Sequence, residues 1–193
     1  MQKITFVTTN NGKIATAQHY FDDTKIILEP YLYELIEPQS GDIAEIAKSK
    51  VIQAYDLVNQ PCIAQDSGFY IDALGGFPAA YVKFILGTIG VDGILKLMQD
   101  IENRKCMFKE CLAFYDGDEV KYFYCNHEGR ISNKILGIDN PEKWSDLWYI
   151  FIPDYSNDGR TLAQLSFKEN QDRRNNIDSS LRQFANWYKS AKQ

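Results

Sequence analysis

Residues 3–8 (KITFVT) pass into Thr9-Asn10-Asn11-Gly12, and residues 13–21 (KIATAQHYF) follow at once. The first run is β-branched and aromatic, the second is a polar turn, and the third has helical character. Strand, polar loop, helix is the opening of an α/β unit, and this stretch decides the fold class. Outward from it, residues 25–28 read as a second strand. Residues 42–58 are the clearest helix, because Asp42 followed by Glu45 is a capping-box signature and Pro61 lies just past the end. Residues 62–64 are an apolar strand running into Gln65-Asp66-Ser67-Gly68, and residues 69–71 resume it. Gly75-Gly76-Phe77-Pro78 marks a turn, and residues 91–101 predict a helix. Residues 107–115 and 120–125 form a hairpin around Asp116-Gly117-Asp118-Glu119. Residues 148–152 read as a strand ended by Pro153. Ile177, Leu181, Phe184, Ala185 and Tyr188 share one face of a C-terminal helix. No repeat or linker divides the chain, so residues 1–193 are read as one α/β domain.

The bulk numbers narrow the function. A hydrophobic content of 45% with 13% aromatic residues is enough for a sizeable core. The net charge of −5 argues against a nucleic-acid backbone as partner, which needs a basic surface. It does not exclude a nucleotide, whose phosphates need only local cations. No segment has the roughly 20 apolar residues of a membrane span, and the N-terminus lacks the apolar core of a signal peptide. Cys62, Cys106, Cys111 and Cys125 include no C-x-x-C pair and sit in apolar or aromatic runs, as buried thiols in a reducing compartment do. The expectation is a soluble cytoplasmic protein that binds neither nucleic acid nor membrane.

Three places carry chemistry. Thr8-Thr9-Asn10-Asn11-Gly12-Lys13 lies where a strand hands over to a helix, whose free N–H groups attract phosphate, and Lys13 adds a cation. It is not a Walker loop, and an Asn-Gly turn with a solvated lysine fits the spacing equally well. Lys50 falls inside a helical stripe of Ile43, Ile46, Ala47, Ala54 and Leu57, whereas Lys48 points elsewhere. An ammonium there must snorkel to water or meet an anion. Asp66 follows an apolar strand, and ligands of α/β sheets sit beyond strand carboxyl ends. Its carboxylate suits Mg²⁺ or proton transfer, though an Asp-Ser-Gly turn needs no function. Glu37 and Asp42, ahead of the Lys50 helix, are further candidate acidic ligands.

Taken together, these pieces resemble the inosine triphosphate pyrophosphatase (noncanonical purine NTP pyrophosphatase) family. That family opens with strand, T-x-N-x-x-K, helix, matched here by residues 8–13. Glu37 and Lys50 look equivalent to its glutamate and helix-borne lysine. Its acidic-D-S-G segment and A-L-G-G-x-P are matched by Gln65-Asp66-Ser67-Gly68 and by Ala73-Leu74-Gly75-Gly76-Phe77-Pro78. The resemblance implies an elongated mixed β-sheet with flanking helices, two lobes around a nucleotide cleft, and a homodimer. It implies hydrolysis of a nucleoside triphosphate to monophosphate and pyrophosphate with Mg²⁺. Asp66 would activate water or bind the metal, Glu37 would help hold Mg²⁺, and Lys13 and Lys50 would neutralise the triphosphate. Thr8, Asn10 and Ser67 would add polar contacts.

The second half departs further. Residues 159–165 (GRTLAQL) resemble the family's G-K-T-x-A-E-L. The family's F-G-Y/W-D-P-x-F segment corresponds to Trp144-Ser145-Asp146-Leu147, which keeps an aspartate and offers Trp144 for stacking on the base. Its S-H-R triplet before the last helix is absent, and by spacing Arg174-Asn175-Asn176 takes that place. Gln65 replaces the first of the paired acids. The expected substrates are noncanonical purine or otherwise altered-base nucleotides, with a changed base preference. The alternative is a nucleotide-binding module of the same fold with lost or weak catalysis.

Overall fold

A computed structural model describes residues 2–21, 26–137, 143–156 and 158–191. The chain runs β1 (Gln2–Val7), α1 (Asn11–Phe21), β2 (Ile26–Tyr31), α2 (Ile43–Val58), β3 (Cys62–Ile71), β4 (Pro78–Ala79), α3 (Val82–Thr88), α4 (Gly90–Leu97), β5 (Lys105–Tyr115), β6 (Val120–Ile131), β7 (Phe151–Pro153), α5 (Phe167–Asn176) and α6 (Ser180–Ala191). The strands form one seven-stranded sheet in the order β2-β1-β3-β5-β6-β7, with β4 against β3. β1 is parallel to both β2 and β3, whereas β3–β4 and β6–β7 are antiparallel, so the sheet is mixed. Parallel neighbours need a crossover, and α1 and α2 supply it on either side of β2.

Two compact units emerge: residues 1–67, 110–125 and 178–193 form the first, and residues 68–109 and 126–177 the second. Each has its own core. In the first, Ile4, Phe6 and Ile63 of the parallel strands pack with Ala17 and Phe21 of α1. Leu112 and Phe114 of β5 join them, as do Leu181, Phe184, Ala185 and Tyr188, which recur every three or four residues along α6. In the second, Phe69 and Ile71 pack with Ile94, Met98, Leu147, Trp148 and Phe151.

Several expected elements differ. Residues 62–71 are one uninterrupted strand, so Gln65-Asp66-Ser67-Gly68 is not a turn. Gly68 is required there: a Cβ would stand 2.7 Å from the Ala79 carbonyl oxygen, because β4 pairs Ala79 with Phe69. Residues 146–149 form a 3-10 turn capped by Ser145, and the strand starts only at Phe151 and includes Pro153. β7 is an edge strand, where a proline is tolerated. The helix expected to run to 101 ends at Leu97. α3 is short and turns Val82, Ile85 and Leu86 to the second unit's core, whereas α5 is almost wholly polar and shows no apolar stripe in the sequence. α5 rests instead on a Ser166–Glu169 capping box, and Ile177 lies past its end rather than in the last helix. Asp42 caps α2 by accepting from the Ala44 N–H at 2.8 Å, but Glu45 accepts from the Ser40 hydroxyl rather than closing the box. Lys25 lies outside the described residues.

Candidate active site

At the start of α1, the Thr8 hydroxyl accepts from the Asn10 N–H at 3.2 Å, and the Asn10 side-chain oxygen accepts from the Lys13 N–H at 3.1 Å. These two side chains hold the loop and the first helical turn, which sends the Lys13 side chain inward. Lys13 is 8% exposed, and its Nζ donates to the main-chain carbonyl of Gln65 at 3.1 Å. The solvated-lysine alternative is thereby removed. Burial, then the Lys50 charge, lowers the Lys13 pKa to about 8, against the opposing pull of Asp66, Glu110 and Glu37.

Asp66 sits midway along β3 and not at its carboxyl end, a correction to the expectation. The open position arises differently. The parallel pairing of β3 with β1 runs through Thr5↔Cys62 and Phe6↔Ile63, and β1 itself ends at Val7. Asp66 therefore lies just past the parallel ladder, although its own strand continues. Burial raises the Asp66 pKa, while Lys13 and Lys50 pull it down.

Lys50 meets anions instead of snorkelling to water. Its Nζ lies 2.8 Å from Glu37 Oε1 and 3.3 Å from Asp66 Oδ1. The stripe around it contains Ile43, Ile46, Ala47, Val51 and Ala54, whereas Leu57 is exposed and Lys48 is solvated. Lys50 and Asp66 side chains are 14% and 10% exposed, and Glu37, at 55%, is the solvent-facing member. The donor set suits a hard divalent cation: two carboxylates, both engaged by one ammonium, one buried and one open to water. Ser67, half-buried, follows Asp66 directly.

One part of the site was missed by sequence reasoning. Gln65 Nε2 donates to Glu110 Oε2 at 3.2 Å and to the Ser180 hydroxyl at 2.8 Å, and Ser180 donates to the same Glu110 oxygen at 3.0 Å. Glu110 and Gln65 are 6% and 2% exposed, and Ser180 is fully buried. The available signal was periodicity: Glu110, Leu112 and Phe114 alternate along β5, so a carboxylate occupies the face that carries the core residues.

The expected base-side residues lie in the second unit. Trp144 packs partly buried against that unit's core, Ser145 accepts from the Leu147 N–H at 3.3 Å, and exposed Asp146 pairs with Lys143 at 2.7 Å. Lys143 also sits 4.5 Å above the Tyr149 ring. Arg174-Asn175-Asn176 is not the segment before the last helix: it is the end of α5, and α6 begins at Ser180. Spacing misplaced it because α5 was not anticipated. Asn176 donates to the Asp172 carbonyl at 2.9 Å, while the side chains of Arg174 and Asn175 lie outside what is described.

The Ham1 family model matches residues 4–187. The dITP/XTP pyrophosphatase of Thermococcus kodakarensis is 34% identical over 187 residues, covering 97% of each chain. That of Saccharolobus solfataricus is 36% identical over 169 residues, covering 86% of this chain and 84% of its own. A HAM1 protein structure from Coxiella burnetii superposes with a TM-score of 0.84 at 21% identity, covering 98% of this chain and all of that one, and shows the shared fold. Extent and identity agree with the resemblance read from the sequence: the chain belongs to the Ham1 family.

Proposed function

We propose that this chain is a Mg²⁺-dependent nucleoside triphosphate pyrophosphohydrolase, converting NTP or dNTP and water to the monophosphate and pyrophosphate. The observation that carries the reading is the meeting of Lys13, Lys50, Glu37 and Asp66 in one unit, two cations and two carboxylates on a site built by α1, α2, β3 and the segment ahead of α2. Lys13 and Lys50 bind phosphate oxygens and offset the charge that builds on them as the α–β anhydride P–O bond breaks. Asp66 takes the proton of the attacking water or holds the metal with Glu37. When bound, Mg²⁺ supplies further neutralisation of the phosphate oxygens. The α1 N-terminus, organised by Thr8 and Asn10, presents N–H donors to the same anion, and Ser67 adds a hydroxyl.

The substrates proposed are noncanonical purine triphosphates, in keeping with the names of the relatives, and Trp144, Ser145 and Asp146 are proposed as determinants of base preference. Pyrophosphate release from ITP, dITP, XTP, ATP, GTP, CTP and UTP, with and without Mg²⁺, tests both parts. Release that needs Mg²⁺ and favours the altered purines is expected. Nucleotide binding without pyrophosphate release would instead support the binding-module reading, which the Gln65 substitution favours.

A homodimer in a reducing cytoplasmic setting belongs to the same proposal. None of the four cysteines forms a disulfide, which fits that setting, and among the described residues no helix is long and apolar enough to cross a membrane. A solution mass near the 22.2 kDa of one chain would remove the dimer.

A further inference from the structure

We infer that Glu110 is a positioning residue of the phosphate site: it fixes Gln65, and through Gln65 the Lys13 ammonium and the Asp66 carboxylate. The inference rests on the function proposed above. Its first ground is the gap beside β3. Among the described residues the pairing of β3 with β1 runs through Thr5↔Cys62 and Phe6↔Ile63 and stops two residues before Gln65, so this stretch must be held from the opposite, β5 edge of the strand and from its face. The closed triangle of Gln65, Glu110 and Ser180 does so, drawing one residue each from β3, β5 and α6.

The second ground is the chemistry of the triangle. An ionised carboxylate only accepts, so it selects the amide orientation in which Gln65 points Nε2 at Glu110. Gln65 Oε1 is then buried without a partner among the described residues, a condition that a network serving stability alone would avoid. With the side chain fixed, the Gln65 carbonyl faces Lys13, and Asp66 is the next residue. Glu110 also acts at a distance, since its charge helps Lys13 keep its proton against burial. The neighbouring Cys125 thiol, whose sulfur lies within 4.8 Å of the carboxylate, contributes no competing charge, because burial and then Glu110 push its pKa up to about 12.

The donor and acceptor roles at 65 and 110 are complementary: Gln65→Glu sets two carboxylates against each other, Glu110→Gln leaves an amide oxygen to accept but removes the charge that strengthens the contact and fixes the amide orientation, and the exchange restores one amide and one carboxylate. The test compares wild type, Glu110→Gln, Gln65→Glu and the double exchange Gln65→Glu/Glu110→Gln. Each is measured for affinity to inorganic tripolyphosphate by calorimetry, for kcat and KM, and for thermal stability. Glu110→Gln is expected to lose about tenfold or more in tripolyphosphate affinity and in kcat/KM, the range seen when a group orienting a site residue is removed, and the exchange should recover most of it. Glu110→Gln within about twofold of wild type, or an exchange no better than the single variants, would overturn the inference. If Glu110→Gln fails to fold, the exchange variant alone decides by the same affinity criterion. Wild type that binds tripolyphosphate without turning over nucleotides would sink the hydrolase reading and leave the affinities to judge Glu110. Wild type that does not bind tripolyphosphate would overturn both.

Discussion

The Lys13 ammonium donates to the main-chain carbonyl of Gln65 at 3.1 Å, inside the protein and one residue from the Asp66 carboxylate. A lysine read from sequence as a candidate surface cation is thus held by the backbone of the strand that carries the acid. The nearby charges of Asp66, Glu110 and Glu37 favour the ammonium, and burial together with Lys50 opposes it. The balance leaves a cation that is present at neutral pH and easily lost above it.

The first prediction is therefore a basic limb in kcat/KM, which reports the free enzyme. As pH rises through about 8, Lys13 loses its proton and the site loses one of its phosphate-binding charges. Stability moves the other way. The folded pKa lies below the unfolded value of 10.5, so between about 8 and 10.5 the unfolded chain binds more protons, and this residue's contribution to stability rises with pH across that window. Lys13→Met should lack both features. A pH profile of kcat/KM that is flat to pH 10 would remove Lys13 from phosphate binding.

Asp66→Asn keeps size and hydrogen-bonding capacity but removes the negative charge that faces Lys13 and Lys50. Turnover should fall by roughly 10² or more, on the scale of a lost general base, with the fold intact. Pyrophosphate release near the wild-type rate would take Asp66 out of the mechanism.

Lys50→Met should lower both activity and stability. The apolar stripe alone suggested that methionine would suit the position, but the ammonium is shared by Glu37 and Asp66. Removing it leaves a buried carboxylate with less compensation. The expected loss is roughly 1–2 kcal/mol, less than for a fully buried pair because Glu37 is half exposed. Denaturant unfolding together with steady-state kinetics checks this, and unchanged values in both would contradict it.

Gly68→Ala places a methyl group 2.7 Å from the Ala79 carbonyl oxygen and 2.8 Å from the Tyr70 ring. The carbonyl belongs to the β3–β4 pair and cannot swing away as a side-chain tip would. A destabilisation of about 1–3 kcal/mol is expected, on the scale of overpacking. A melting temperature equal to wild type would show that β4 yields without cost.

The first half of the fold was legible because local signals and tertiary structure agree there. The β-branched and aromatic run of residues 3–7 pairs with β2 and is buried from Ile4 to Val7, Asp42 caps, and α2 shows its buried stripe. Lys13, Lys50 and Asp66 were visible for a related reason, each being a charge in a place where its surroundings are apolar or a helix begins, whereas Glu37 is a loop acid that only the family resemblance singled out. Glu110 and Ser180 were not visible, and Gln65 stood out only as a replacement for an acid of the family pattern, because their meaning lies in a meeting of residues far apart in sequence. α5 was missed since a polar helix held by its cap has no apolar period, and that omission displaced the reading of residues 174–176 by a whole element.

The first unit is assembled from three separate stretches of chain, and this fixes the order in which its active centre is made. On the ribosome Lys13, Lys50 and Asp66 emerge early, Glu110 later, and Ser180 only with α6. A nascent chain halted ahead of α6 would hold both cations and the carboxylate while still lacking the hydroxyl that closes on Gln65, along with Leu181, Phe184, Ala185 and Tyr188 from the core beneath. Phosphate-binding competence should thus appear late in synthesis, as the last helix docks, and not when the residues that carry the charge have been translated.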